Sequence, residues 1–263
     1  FSINDKGEID PTAGGSLAKP EALDSASVLV LGLRFRHYPD ETMKKFEAAM
    51  NRGVGIVALR TSTHAFNFDG KSPWASWSYN SKGGFGKKVL GETWVSHWGK
   101  HGKEGTLGVA EGEENEKSPL LNGVQDVFGD TDVYEAYPPE DATILMRGFV
   151  LEGMDPSGKP VEGEKVRATD KKSQPINEPA MPIAWTREVK NEAGTKNKVF
   201  TTTMGSASDL VNEGLRRLVV NGVYWGLGET VPEKANVEIV GEFTPSKYSF
   251  NGFKKGVKAE DLK

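Results

Sequence analysis

The chain has 263 residues, 37% of them hydrophobic and 27% charged, with a formal net charge of −4. That composition suits a folded α/β-sized core rather than a disordered chain, and the acidic balance gives no electrostatic footing for nucleic acid or an anionic membrane. No stretch approaches the roughly 20 apolar residues of a membrane span, and the lack of cysteine excludes disulfides, thiolate nucleophiles and Cys-ligated zinc.

Residues 1–23 are polar and turn-rich and read as an extended lead-in. The first strong element, 27–33, is apolar on both faces, as in a strand buried within a parallel sheet. A helix follows at 39–52, with Pro39 suiting its first position and Asp40 and Glu41 its positive end. Met43, Phe46 and Met50 form its buried stripe, and Gly53 supplies a left-handed stop. The run 54–59 is a second strand apolar on both faces, so the three elements make a βαβ unit with parallel strands.

Residues 61–106 have little periodicity and many Gly, Ser, Trp and His residues, which reads as a long functional loop broken by a turn of helix near 85–90. Short strands follow at 133–136 and 143–150. Glu111, Glu113, Glu114 and Glu116 read as a solvated acidic face, and 152–178 as a mobile Gly/Pro/Lys/Glu excursion. Strands at 181–185 and 198–203 flank a hairpin-like 191–197. A helix at 207–226 opens on a capping-box pattern, Ser206 and Asp209, and buries Val211, Leu215, Leu218, Val219 and Val223. Residues 229–263 read as a tail with a strand-like 237–240.

Ligands of an open parallel sheet sit beyond the carboxyl ends of its strands. The first strand runs out into Arg34-Phe35-Arg36-His37 and the second into Arg60-Thr61-Ser62-Thr63-His64. Arg34 and Arg60 suit recognition of ligand oxygens or pairing with acidic loop residues; Arg36 and His37 read as surface. His64 sits among Thr61, Ser62 and Thr63, which can fix its tautomer. His97 and His101 stand four apart and, with His64, make a candidate three-histidine site for a divalent metal such as zinc. Trp74, Trp77, Trp94 and Trp98 suit either stacking on sugar rings or a satellite core holding the loop. The acid–base candidates are Glu92, Asp132 and Glu135.

The segment 54–66 resembles the strand-plus-histidine signature of the ThuA-like (trehalose utilisation) family. Similar matches are Val89-Leu90-Gly91 leading to His97, the block 132–135, the block 181–187, and 199–205 with the helix ending Tyr224-Trp225; together they span about 24–228. The resemblance implies a flavodoxin-like, class I glutamine amidotransferase-like three-layer sandwich with a mostly parallel sheet, whose first βα unit is expected to be absent from the chain. It implies a link to trehalose and keto-sugar metabolism, with a small-molecule sugar as partner. His64, His97 and Glu135 are then the expected catalytic residues, and Arg34, Arg60, Thr61, Trp94 and Trp98 the expected sugar contacts. Amidotransferase activity is excluded, since its nucleophile is a cysteine. Where many members carry a Gly-His pair after the last core strand this chain has Met204-Gly205-Ser206, and Ser118-Pro119 replaces a His-Pro pair. Three functions stay open: a sugar-transforming enzyme, a non-catalytic sugar binder, and a partner-binding scaffold with a vestigial site. The compartment, cytoplasmic or exported, and a homo-oligomeric state stay open as well.

Overall fold

The computed structural model describes residues 1–112, 117–246 and 252–262. In chain order the strands are β1 (Val28–Leu31), β2 (Gly55–Leu59), β3 (Ser96–His97), β4 (Gly105–Ala110), β5 (Phe128–Gly129) and β6 (Tyr134–Glu135). They continue with β7 (Thr143–Leu151), β8 (Glu164–Val166), β9 (Ser173–Pro175), β10 (Met181–Lys190) and β11 (Lys196–Thr202). Among the described residues the two long α-helices are α1 (Asp40–Asn51) and α2 (Glu213–Leu227).

Seven strands form one sheet in the order β1-β2-β11-β10-β7-β4-β5. β1 and β2 pair in parallel, as the βαβ reading requires, and β11 adds in parallel on the other side of β2. β2 is buried along its whole length. Its side chains alternate between two faces: Ile56 and Ala58 join Met43, Phe46 and Met50 of α1, while Val57 and Leu59 join Leu215 and Leu218 of α2. Helix, sheet and helix thus make three layers of a flavodoxin-like α/β fold.

Beyond β11 the parallel arrangement ends. β10, β7, β4 and β5 each pair antiparallel with their neighbours, so the expected mostly parallel sheet is corrected to a mixed one. The physical reason lies in the connections: β11 returns from β10 through a five-residue turn, too short for the helical crossover a parallel pair needs. β1, expected to be buried on both faces, is the sheet edge and leaves Val30 exposed.

Several local expectations shift. Pro39 is the N-cap of α1 rather than its first residue, and Gly53 takes the expected positive φ of 85°. The Ser206–Asp209 capping pair forms reciprocally, Ser206 N donating to Asp209 Oδ2 and Asp209 N to Ser206 Oγ. It closes the turn that leads into a short 3-10 segment at Asp209–Val211, however, and α2 starts later, where Asn212 Oδ1 accepts from Leu215 N at 2.8 Å. Val211 falls in that 3-10 turn and is exposed. The stretch 237–240 forms no strand, and its Val240 is exposed. Of the acidic face, Glu111 is paired to Arg147, and 113, 114 and 116 lie outside the described residues.

The excursion 152–178 is tied down. It folds as the β8–β9 hairpin, and Trp98 Nε1 donates to the Ile176 carbonyl at 2.8 Å. Lys165 Nζ donates to the carbonyls of His97 and Trp98 at 2.9 and 2.6 Å. The lead-in is also held, with Ile9 N donating to Val257 O at 2.7 Å and Arg36 reaching the Pro11 carbonyl at 2.8 Å. Arg36 is therefore buried, contrary to its surface reading, whereas His37 is exposed. No helix among the described residues is long and apolar enough to cross a membrane.

β2 and α2 approach most closely at Gly55 and Gly226, where a Cβ added to Gly55 would lie 2.9 Å from the Gly226 Cα and closer still to its carbonyl. The obstacle is backbone and cannot swing aside. Gly55→Ala is therefore expected to cost about 1–3 kcal/mol, read as a lower denaturant midpoint; an unchanged midpoint would mean that the helix and strand do not touch there.

Candidate functional site

The loops that leave β1 and β2 are laced together. Ser62 Oγ donates to the Leu31 carbonyl at 2.8 Å and accepts from Leu33 N at 3.1 Å, and Phe35 N donates to the His64 carbonyl at 3.0 Å. Over this carboxyl edge opens a cavity of about 790 Å3. Arg34, Arg60, Thr61, His64, Trp94, His97 and His101 all line it, so seven of the residues singled out from sequence share one wall. Tyr134, Phe35, Pro11, Gly32, Leu59 and the turn 205–207 complete it.

The centre of the arrangement is Asp132, a fully buried carboxylate. Arg60 donates to its Oδ1 at 3.0 Å and to its backbone carbonyl at 3.0 Å, and also to the Thr203 carbonyl at 3.0 Å. His97 Nδ1 lies 2.6 Å from Oδ2 and His101 Nδ1 2.8 Å from Oδ1. Burial pushes the Asp132 carboxyl up, but His97, Arg60 and His101 outweigh it and hold the group below its ordinary value. An ionised carboxylate only accepts. Both Nδ1 atoms are therefore the donors, and each ring keeps Nε2 as its other nitrogen. The Arg60 guanidinium also stacks on Tyr134, 4.3 Å from the ring centroid.

His64 is buried among Phe35, Tyr79, Trp94 and Tyr134, with ring centroids 5.0 to 6.5 Å away. Its Nδ1 lies 3.3 Å from Thr63 Oγ1, whose own proton goes to the Arg60 carbonyl, so the network assigns Nδ1 as donor. Burial, then the charges of Arg34, Arg60 and His97, push its pKa down to about 3. At neutral pH it is an uncharged imidazole.

Two expected members lie outside the cavity. β3 and β6 pair Ser96 with Glu135 and His97 with Tyr134. Alternation along a strand sends these pairs to opposite faces, so Glu135 points away from the wall that His97 and Tyr134 form. There it accepts from Ala168 N (2.8 Å), Thr169 N (3.0 Å), Thr169 Oγ1 (2.8 Å) and Ser96 Oγ (2.8 Å). Burial raises its pKa, but these bonds hold it below the ordinary carboxylate value. Glu135 is an anchor for the β8–β9 hairpin. Trp98 is buried in the core against Val133 and Val150 rather than offered to a ligand. Trp74 and Trp77 pack with Phe46, Phe66 and Phe85, which leaves Trp94 as the tryptophan of the four on this cavity. Glu92 is a buried anchor as well, accepting from Thr93 N and Tyr137 N and paired to Lys87.

The metal expectation changes in composition. His97, His101 and Asp132 bring nitrogen and oxygen atoms within 4.8 Å of one another, and His64 is not part of the group. Two imidazoles and a carboxylate are a zinc-type donor set. The Arg60 guanidinium on the same carboxylate, however, already supplies the positive charge a metal would bring. Asp209 was legible in sequence only as a cap. Its carboxylate also accepts from Thr131 N and Oγ1 and from Gly205 N, which fixes the 205–207 rim to the strand end before Asp132. Tyr134 lines the cavity while Asp132 lies buried behind it, joined to it through His97 and His101.

A family model described as ThuA, trehalose utilisation, matches residues 5–226. No curated protein matches the chain. Among solved structures, it is similar to a ThuA-like protein from Parabacteroides merdae, at 14% identity and a TM-score of 0.45, covering 78% of this chain and 72% of that one. It is also similar to a ThuA-like protein from Bacteroides uniformis, at 15% identity and a TM-score of 0.41, covering 82% of this chain and 74% of that one.

Two stability measurements follow from this geometry. An unfolded imidazole takes up its proton near pH 6.5, whereas folded His64 does so only near 3. Between those values the unfolded state binds more protons, so stability falls as pH drops, by up to about 1.4 kcal/mol per pH unit. His64→Phe is expected to flatten that acid limb in urea titrations; an unchanged slope would place the imidazole in water. Arg60→Met strands the buried Asp132 and should cost about 3 kcal/mol. Adding Asp132→Asn should recover part of that loss, whereas strictly additive losses would show that the two side chains do not interact.

Proposed function

The chain belongs to the ThuA (trehalose utilisation) family, and on that footing we propose that the cavity at the carboxyl edge of the sheet binds a sugar and moves a proton on it. The observation that carries this reading is the Asp132–His97 pair. A buried carboxylate, kept ionised, accepts the Nδ1 proton of an imidazole that lines a substrate-sized cavity. Such a pairing fixes the ring's tautomer and stabilises the imidazolium formed when Nε2 takes a proton. His97 is then the acid–base group, and Asp132 and Arg60 are its positioning residues.

His64 has a different role. An imidazole that protonates near pH 3 is a poor proton acceptor at neutral pH, so with its proton on Nδ1 it serves as a neutral group whose Nε2 accepts a hydrogen bond from a ligand hydroxyl. The Trp94 ring offers an apolar face for a pyranose, and Arg34 and Thr61 supply hydrogen bonds to its oxygens. The cavity's 790 Å3 lies within the range of small-molecule sites, roughly 300–1,000 Å3.

The test pairs binding with chemistry. Thermal-shift screening against mono- and disaccharides and their keto derivatives should find a ligand that, at about 100 times its Kd, stabilises by roughly 2.7 kcal/mol. Proton NMR in deuterated buffer should then show exchange at the carbon beside the keto group. His97→Ala should slow that exchange by about 100-fold or more while binding persists. Binding without exchange in the intact chain would make this a sugar-binding protein, and no binding by any saccharide would remove the sugar reading.

A further inference from the structure

His97 and Tyr134 are a cross-strand pair, so they stand side by side on the cavity face of the β3–β6 ladder. Their ring centroids are 5.5 Å apart and the ring planes meet at 78°. Tyr134 is only 4% exposed. The Arg60 guanidinium lies over its ring at 4.3 Å from the centroid, and His64 and Trp94 pack against it at 6.3 and 6.5 Å. The ring is thus fixed in place by four neighbours. Its hydroxyl bonds to no other described residue and is not sealed in the core, so it opens on the cavity that the residue lines.

We infer that Tyr134 is a second catalytic residue, whose hydroxyl gives its proton to the carbonyl oxygen of a keto-sugar while His97 takes one from the carbon beside that carbonyl. This rests on the proton-transfer reading above and supplies the partner which that reading lacks. Taking a proton from a carbon next to a ketone drives negative charge onto the carbonyl oxygen, and a donor fixed beforehand at that oxygen lowers the barrier. Two neighbours are poorly placed for the part. The proton of His64 is on Nδ1 and turned to Thr63, which leaves Nε2 as an acceptor. Arg60 commits its guanidinium to Asp132 and the Thr203 carbonyl, and what it gives the cavity is its charge against the Tyr134 ring. That charge favours the electron density a phenol oxygen takes on as it parts with its proton. The side-by-side setting of imidazole and phenol also suits the reacting atoms, a carbon and an oxygen two bonds apart. The step balances without an outside reagent. The carbon–hydrogen bond breaks and its proton goes to His97 Nε2. The freed electron pair becomes a carbon–carbon π bond, the carbonyl π pair moves to oxygen, and that oxygen takes the Tyr134 proton to give an enol. In the return, the enol oxygen hands the proton back to Tyr134 and His97 reprotonates the carbon, after its own proton has exchanged with solvent.

The experiment compares the full chain with Tyr134→Phe, which keeps the ring and its packing and removes the hydroxyl. Fructose and the singly oxidised keto derivatives of glucose and trehalose are followed by proton NMR in deuterated buffer. On a ketone that the intact chain exchanges, Tyr134→Phe should lower kcat by about 100-fold or more, with KM changed by less than about threefold. The denaturant midpoint, read alongside, should stay near that of the intact chain. A fluorinated tyrosine placed at 134 guards against a folding defect in the Phe variant. It keeps the shape and the hydroxyl but is the stronger acid, so the alkaline limb of kcat should move to lower pH. A fall in kcat of less than about tenfold in a folded Tyr134→Phe, a loss carried by KM alone, or an alkaline limb that stays put with the fluorinated ring overturns this inference and leaves the proton-transfer reading standing. No exchange of any of these ketones by the intact chain overturns both.

Discussion

One buried carboxylate organises the site. Taking Asp132 out of water costs several kcal/mol even after relaxation, and three donors from separate stretches of chain offset that cost. Arg60 comes from the end of β2, His97 from β3, and His101 from the turn before β4. Because Arg60 also holds the Thr203 carbonyl, the exit of β11 is fixed to the same point. The carboxylate thus sets the relative positions of loops that the sheet alone would leave free. Its ionisation also dictates which nitrogen of each histidine carries the proton.

The site is stiff as well as charged. Phe35 and Arg60 occupy left-handed backbone that costs of the order of 1–3 kcal/mol for residues with a Cβ. Each is over-determined by its surroundings: Phe35 N is bonded to the His64 carbonyl, and Arg60 N to the Met204 carbonyl at 3.0 Å. Strain of this kind survives only where many bonds agree, and here both strained residues face the same cavity. The aromatic shell around His64 has the complementary effect, removing water so that the charged imidazolium is disfavoured first by burial and then by neighbouring charges screened less than in water.

The half of the fold built from β1, α1 and β2 was legible because its signals are local. Two apolar runs and a 3.6-residue stripe define the unit, and the strand ends then locate Arg34, Arg60 and His64. The antiparallel half was less legible, because β10 and β11 show their pairing only through the length of the turn between them. The two-residue pairing of β3 with β6 joins residues almost forty apart and leaves no periodic trace, yet it turns His97 and Tyr134 toward the cavity and Glu135 away from it. Glu135 looked like an acid–base group because type and neighbourhood suggested it; the backbone amides that occupy it come from the excursion, which reads in sequence as loose. The tryptophans stayed open between two readings for the same reason, since composition cannot separate a ligand platform from the packing of Trp77 on Phe85.

Ser96 and His97 are neighbours in sequence that look out of opposite sides of a two-residue ladder. On the outer side Ser96 and Glu135 grip the hairpin, and Lys165 of that hairpin holds the carbonyls of His97 and Trp98. The ladder is therefore a thin partition with a hand on each side. The backbone that carries the imidazole is therefore held from outside the cavity, by a hairpin that no cavity-lining residue belongs to.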